Sequence, residues 1–390
     1  MKKEVNTLFA LLKSAVLGKE LDELSKQDAS EKADLLYEMA RHHDLAHLVD
    51  YAYKTNGISI PDETVAFKFL KQQAMSVMRY ETLNVELERI CDLLENEKIP
   101  FVPLKGAVIR NLYPQGWMRT SCDIDILVHE ENLGRVEKAL CEKLGYTSRG
   151  ERAYHDISLY SDTGVHLELH FNIKENMNNI DRLLEKVWDY ASPKKDGGYE
   201  YVLTNEFLMF QHIAHMSFHV VFGGCGIKAY MDLVLLRQKV SFDEQVLFKM
   251  LEGCGIKTFY DVSVRLSKAW FEDGEHDETT LLLQKYLLGG GTYGTVKNYI
   301  AVASSRGGKF SYLLKRVFMP YDLLCTKYPN LKDKPYLLPY YQVRRWLRIV
   351  ISGRIKDTSK EFSAGSDITD ENARDVKKLF DSIGLKNKWF

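Results

Sequence analysis

Apolar residues recur three to four positions apart through the first part of the chain, to about residue 98, and this spacing is typical of helices. The residues that carry the pattern include Leu8, Leu11, Leu12, Val16, Leu83, Val85, Leu87, Ile90 and Leu94. The turn-forming pair Asn56-Gly57 separates two helical blocks. Helical spacing returns in 206–221, 227–240 and 243–251. The pattern therefore predicts an N-terminal helical segment, 1–97, and a C-terminal helical domain, 200–390.

Between these segments the chain changes to short apolar runs and to alternation of apolar and polar residues. The predicted strands cover 99–104, 122–128, 155–160 and 165–171, and the predicted helices cover 107–112 and 131–144. Gly145 ends the second of these helices, and a polar loop is expected at 192–198. This order of elements predicts a small mixed-sheet core at 98–175. We therefore expect an α+β fold, with this core embedded between the helical N- and C-terminal segments.

The second predicted strand carries two acids in the run DIDILV, residues 123–128. Alternation along a strand places Asp123 and Asp125 on one face and the isoleucines on the other. Two neighbouring carboxylates repel each other unless a cation lies between them. From this run alone, a cation site and a solvated acidic face are equally good interpretations.

The last predicted strand, VHLELHF at 165–171, shifts that balance. Its alternation places His166, Glu168 and His170 on one face. If the two strands are neighbours, Glu168 points to the same side as Asp123 and Asp125. Three converging carboxylates make a hard oxygen site suited to Mg²⁺, and such sites support phosphoryl transfer.

The run PLKGAVIRNLYP…RTSCDIDILV…LGY…HDISLY…VHLELHF resembles an uncharacterised bacterial nucleotidyltransferase family of the polymerase-β-like superfamily. The resemblance is strong over 100–172 and continues more weakly through 212–236. It implies a metal-dependent enzyme, with Mg²⁺ or Mn²⁺, that moves a nucleoside monophosphate from an NTP to a hydroxyl-bearing acceptor.

The resemblance also assigns roles to single residues. Asp123 and Asp125 match the metal-binding pair of the family, and Glu168 matches the third acid, which usually helps to activate the acceptor hydroxyl. Gly106 stands where the superfamily has a glycine that lets the backbone approach the phosphates. The serine that commonly follows that glycine is absent here, which removes one expected phosphate contact.

Two cations near the acids are candidates for phosphate binding. Lys105 either supplies a positive charge to the triphosphate, the interpretation we favour, or is an exposed lysine at a helix start. Arg119, four positions before Asp123, either clamps a phosphate or pairs with one of the acids.

Histidines accompany the acids in the last strand and recur in the C-terminal segment. We expect His170 to orient the acids, and we leave His166 open between metal binding, proton transfer and the same orienting role. His212, His215 and His219 share one face of a predicted helix. Packed, hydrogen-bonded histidines are favoured there over a zinc site, and a nucleotide-facing role for His215 is kept.

Lys228 and Asp232, four apart on the next predicted helix, form an ordinary pair or face the nucleotide. Lys228 completes the set of predicted nucleotide-binding residues, which are Lys105, Gly106, Arg119, His170, His215 and Lys228.

Composition narrows the class of protein. The 390 residues carry a net charge of −1, so no overall field attracts the chain to nucleic acid or membrane. No apolar run approaches the roughly 18 residues of a transmembrane helix, and no secretory leader is evident. The six cysteines are scattered and form no C-x-x-C pair, as in a reduced compartment. We therefore expect a cytoplasmic protein.

One tract departs from this neutral balance. Residues 306–356 contain twelve basic residues and two acids, interleaved with aromatic residues. This pattern suits contact with RNA or another polyanion, a helix at a membrane surface, or a solvated helical face, and the last is favoured.

Three functional hypotheses remain at this point. The first, which we favour, is the metal-dependent nucleotidyltransferase, acting on an unidentified hydroxyl-bearing acceptor. The second is a catalytically silent module that binds nucleotide or RNA. The third is a toxin-like nucleotidyltransferase whose acceptor is tRNA or a protein.

Overall fold

The computed structural model describes residues 2–148, 154–292, 328–351 and 370–385, together with isolated positions between 294 and 325. Of the basic tract at 306–356, the described part is 328–351 with five isolated positions before it, and seven of its twelve basic residues lie outside the described residues. The polyanion contact considered for this tract is not tested by the structure.

Helices form most of the described chain. Their bounds are α1 Lys2–Leu17, α2 Glu23–Glu31, α3 Ala33–His42, α4 Ala46–Thr55, α5 Glu63–Asn96, α6 Gly106–Ile109, α7 Leu133–Leu144, α8 Asn178–Leu184, α9 Asn205–Val221, α10 Ile227–Lys239, α11 Glu244–Cys254, α12 Lys257–Phe271, α13 Glu278–Leu288, α14 Leu338–Ile351 and α15 Asp370–Ser382. None of the described helices is long and apolar enough to cross a membrane.

A five-stranded mixed sheet lies among these helices, in the order β1-β2-β5-β4-β3. Its strands are β1 Phe101–Pro103, β2 Asp123–Val128, β3 Thr147–Ser148, β4 Asp156–Tyr160 and β5 His166–His170. The central pair β2 and β5 is parallel, and the other pairs are antiparallel. A separate hairpin joins β6 Ala191–Pro193 to β7 Tyr201–Leu203. The fold is therefore α+β, as predicted.

The two faces of the sheet pack against different parts of the molecule. Ile124, Ile126 and Val128 of β2 pack with residues of α5 and α7 in one hydrophobic core. Leu127 points to the other face and joins a larger core built from helices. Asp123 and Asp125 lie on the same face as Leu127, because side chains alternate along a strand. The acids therefore face the helical part of the molecule.

The larger core combines helices from both ends of the described chain. Helices α1 to α4 and the first half of α5 pack with α9 to α13 in one continuous cluster. At its centre Phe9 of α1 stacks on Trp270 of α12, with ring centroids 4.5 Å apart. The helices before and after the sheet thus form one body that covers its acidic face.

The predicted elements lie close to the observed ones, and the differences are local. Helix α7 begins two residues later than expected, and Gly145 ends it in the left-handed conformation, with φ of 72°. The short strand β3 had no clear alternation to reveal it. The predicted polar loop at 192–198 is wrong in part, because its first residues belong to β6 of the hairpin.

Candidate active site

The three predicted acids meet on one face of the sheet. Strands β2 and β5 are parallel neighbours, with Asp125 opposite Glu168 and Asp123 opposite His166. Possible ligand atoms of Asp123, His166 and Glu168 lie within 4.8 Å of one another, as do those of Asp125, Glu168 and His170. The two groups share Glu168, so the acids of the two strands lie side by side on one face of the sheet.

Asp125 is the most tightly held of the three. Its Oδ1 accepts hydrogen bonds from Lys105 Nζ and from His170 Nε2, each at 2.8 Å. Burial alone would raise the pKa of this carboxyl, but the charge of Lys105 and the bond from His170 lower it. Asp125 is therefore ionised at neutral pH. Lys105 itself has a φ of 43°, a costly conformation for a residue with a side chain.

Asp123 differs from Asp125 in the direction of its pKa shift. Burial, followed by the charges of Asp125 and Glu168, raises the pKa of its carboxyl. Ser121 Oγ donates to its Oδ1 at 2.9 Å and so places a hydroxyl beside the acids. Ser121 was missed in the sequence, because it precedes the acids and does not follow Gly106 as the serine of the superfamily does.

The residues present fit a divalent cation. Three carboxylates lie on one face of the sheet, in two groups that share Glu168, and oxygen ligands of this kind are what Mg²⁺ and Mn²⁺ prefer. Burial first, and then the charges of Asp125 and Glu168, raise the pKa of Asp123, and a bound cation would oppose both effects. Asp123, Asp125 and Glu168 would hold the metal, and His170 would orient Asp125 and Glu168, since its Nε2 lies 2.8 Å and 3.4 Å from their oxygens.

Arg119 does pair with a carboxylate, but the partner differs from the expected one. Its Nε and Nη2 donate to both oxygens of Asp232, at 2.9–3.1 Å. The hydroxyl of Tyr113 donates to the same carboxylate at 2.7 Å. A Cβ at Gly106 would lie 2.9 Å from Arg119 Nη1. In this structure the glycine thus makes room for Arg119.

Lys228 is also held by the segment before β2. Its Nζ donates to the carbonyl of Thr120 at 2.9 Å and lies 3.9 Å from Asp44. Burial lowers the pKa of this amine. The i,i+4 pair of Lys228 with Asp232 considered from the sequence is wrong, because Asp232 pairs with Arg119 instead.

The three histidines of α9 have different partners. His212 is bound to the carbonyl of Ala229 at 2.9 Å, as expected for a packed histidine. His215 Nδ1 lies 2.7 Å from a carboxylate oxygen of Glu175, and His215 Nε2 lies 3.0 Å from His219 Nε2. Glu175, in the loop after β5, was missed because no periodicity marks it. Burial alone would raise its pKa, but His215 lowers it to about 2.

One cleft contains most of these groups. Its volume is about 570 Å³, within the range of small-molecule sites. Sheet residues, the segment before β2 and helices α9 and α10 line it. The nine predicted site residues all contribute to its surface, namely Lys105, Gly106, Arg119, Asp123, Asp125, Glu168, His170, His215 and Lys228.

Comparison with known proteins agrees with this geometry. The family model described as "Uncharacterised nucleotidyltransferase" matches residues 29–272, which include the sheet, the acid cluster and helices α9 to α12. No curated protein matches the chain. The match covers 244 of the 390 residues, and the chain belongs to this uncharacterised nucleotidyltransferase family.

Proposed function

We propose that this protein transfers a nucleoside monophosphate from an NTP to a hydroxyl-bearing acceptor, with Mg²⁺ or Mn²⁺ held by Asp123, Asp125 and Glu168. The observation that carries the proposal is the placement of these carboxylates, from two parallel strands, inside a cleft that also contains half-buried cations. Membership of a nucleotidyltransferase family supports the class of reaction. Mutual repulsion of the acids supports a bound cation.

The residues of the cleft divide the work of binding and orientation. When bound, a divalent cation neutralises phosphate charge and makes a coordinated hydroxyl more acidic. Lys105, whose side chain is 28% exposed, is placed to move from Asp125 to the triphosphate. Lys228 adds a second amine at the same cleft. Arg119 keeps the segment before β2 in place through Asp232, and Gly106 leaves space for that segment.

Helices α9 and α10 cover the acids and limit the access of water. This matters because water would otherwise take the place of the acceptor and hydrolyse the NTP. The acceptor itself is the least defined part of the proposal. A small molecule, a tRNA or a protein each supplies the hydroxyl that the chemistry needs.

A thermal-shift screen tests the proposal. Each NTP is added to the parent protein with and without Mn²⁺, because a ligand that binds only the folded state raises the melting temperature. We expect a shift with at least one NTP that requires the metal. The shift should be lost in Asp125→Asn, in which an amide keeps the shape of the side chain but loses the charge. Asp261→Asn, at a half-buried pair on α12 that does not line the cleft, is the matched control and should keep the shift.

Release of pyrophosphate from the same NTP is the second measurement. Asp125→Asn should lose most of the release while remaining folded. An Asp125→Asn protein that binds and consumes NTP as the parent does would rule the proposed site out.

A further inference from the structure

Glu175, His215 and His219 form a continuous hydrogen-bonded chain along the cleft, which we call the histidine relay. His215 lies 2.7 Å from Glu175 and 3.0 Å from His219. All three residues line the cleft that contains the acids. The direction of the bonds in this chain follows from simple chemistry.

An ionised carboxylate only accepts hydrogen bonds, so His215 Nδ1 must donate to Glu175. In neutral His215 the other nitrogen, Nε2, then has a lone pair and accepts. His219 Nε2 must therefore carry the hydrogen, which leaves the lone pair of neutral His219 on Nδ1. No residue in the described part of the chain hydrogen-bonds this Nδ1. The relay thus ends in an unused proton acceptor at the cleft.

Adding one proton reverses the direction of the middle bond without moving an atom far. His219 Nδ1 takes the proton, His219 Nε2 passes its own proton to His215 Nε2, and the positive charge rests on His215 beside Glu175. A single imidazole without the relay would carry this positive charge with no carboxylate beside it to stabilise it. The same logic of an imidazole oriented and stabilised by a carboxylate operates in hydrolase triads.

The carboxylate end of the relay is fixed in advance. Asp181, in the first turn of α8, accepts hydrogen bonds from the backbone N–H groups of Glu175 at 2.8 Å and Met177 at 3.1 Å. Asn176 between them has a φ of 60°, in the left-handed region. Such a conformation persists only where the surrounding contacts hold it. Glu175 is therefore held toward His215 before any ligand binds.

The charges around the relay agree with this arrangement. The pKa of Glu175 is about 2, so it is ionised at neutral pH. Burial, followed by the neighbouring His215, lowers the pKa of His219 to about 3. His219 therefore does not keep the proton. Lys105, which also touches Asp125, is close enough to influence both groups, so the relay and the acid cluster belong to one electrostatic site.

We propose that the histidine relay removes the proton from the acceptor hydroxyl during nucleotidyl transfer, with His219 as the catalytic residue and His215 and Glu175 acting through it. The inference rests on the proposed function. The acceptor oxygen bonds to the α-phosphorus as the bond to the β-phosphate oxygen breaks, and pyrophosphate leaves with that electron pair. The hydroxyl proton passes to His219 Nδ1, and the proton of His219 Nε2 passes to His215 Nε2.

The proposal also defines the chemical class of acceptor. A phosphate or carboxylate acceptor is already ionised at neutral pH and needs no base. An alcohol keeps its proton until it attacks. The relay therefore indicates an alcohol, with Glu168 left as a metal ligand.

Nitrogen NMR of histidine-labelled protein tests the relay without any substrate. In the neutral forms we expect the hydrogen on Nδ1 of His215 and on Nε2 of His219, with His215→Gln and His219→Gln providing the assignments. Neutral His219 carrying its hydrogen on Nδ1, or neutral His215 carrying it on Nε2, would overturn the proposal.

Pyrophosphate release with Mn²⁺, in water and with added glycerol as a simple alcohol, gives the second test. His219→Gln should slow release by about 100-fold or more, the usual contribution of a general base, while metal-dependent NTP binding stays within about twofold of the parent. His276→Gln, the same change at an exposed position, should release pyrophosphate at the parent rate.

Asp125→Asn separates the two proposals. If Asp125→Asn abolishes release but His219→Gln matches the parent, the relay is wrong and the proposed function stands. If Asp125→Asn is as active as the parent, or if the parent shows no metal-dependent NTP binding, the proposed function fails and the catalytic role of the relay fails with it.

Discussion

Two cation–carboxylate pairs lie in the same cleft and differ in construction. Lys105 makes a single bond of 2.8 Å to Asp125, and its side chain is 28% exposed. Arg119 makes a two-nitrogen contact with both oxygens of Asp232, and the two side chains are 12% and 2% exposed. Tyr113 donates a further hydrogen bond to Asp232.

This difference indicates that Arg119–Asp232 is a structural pair, whereas the Lys105–Asp125 pair can be broken when another cation binds. A planar guanidinium matched to a carboxylate loses two directed bonds together when it is disturbed. An ammonium is a point charge, and another cation can take its place. The Arg119–Asp232 pair therefore holds the segment before β2 against α10, whereas the Lys105–Asp125 pair offsets only part of the negative charge of the acids.

The largest expected effect is that of Asp232→Asn. The change leaves buried Arg119 without its negative partner, and removing one member of a buried pair costs about 3–5 kcal/mol of unfolding free energy. Urea denaturation measures this loss. Asp261→Asn, at an i,i+4 pair on α12 whose carboxylate is 44% exposed, should cost no more than about 1 kcal/mol. Equal losses in the two variants would show that the buried pair has no special structural role.

A second contact that holds the segment before β2 contributes a stability that depends on pH. Buried His47 bonds to the carbonyl of Met118 at 2.9 Å, next to Arg119. Burial lowers the pKa of His47 to about 4. The unfolded chain takes up this proton near pH 6.5 and the folded chain only near pH 4, so stability falls as the pH drops through that interval.

The change His47→Gln tests this contribution, because an amide still donates to Met118 but does not titrate. Between pH 7 and pH 5 the parent should lose about 2 kcal/mol more than the variant. Urea denaturation at the two pH values gives both losses. Parallel losses in parent and variant would mean that His47 does not oppose protonation in the folded protein.

The acid cluster could be predicted from the sequence because strand geometry is local. A period of two fixes the side to which Asp123, Asp125 and Glu168 point, and one correct assumption about neighbouring strands brings them together. The same alternation places the side chains of Leu127 and Ile126 on opposite faces of the sheet. Most elements followed for the same reason, since three- and four-residue spacing decides helices without reference to the rest of the chain.

The partners of the cations could not be predicted, because they come from distant elements. Arg119 and Asp232 are 113 positions apart, and Glu175 and His215 are 40 apart. Several carboxylates were available to each cation, and the chain offers no pattern that selects one. The choice depends on how α9 and α10 pack over the sheet, which is a property of the whole core.

The change Lys105→Met has the smallest expected effect on stability. It tests most directly whether the Lys105–Asp125 pair differs in role from the Arg119–Asp232 pair. Asp125 keeps its hydrogen bond from His170, and the Lys105 side chain is itself 28% exposed, so the metal-free variant should lose only about 1 kcal/mol. Excess Mn²⁺ should restore this loss and bind more tightly than to the parent, because no ammonium competes for Asp125. Metal-dependent NTP binding should weaken, since one cation for the triphosphate is missing.

Thermal shift with Mn²⁺ alone and with Mn²⁺ and NTP measures these effects, with Lys138→Met on the exposed face of α7 as the control. A loss as large as that of Asp232→Asn, and not restored by Mn²⁺, would place Lys105 with Arg119 as a structural residue.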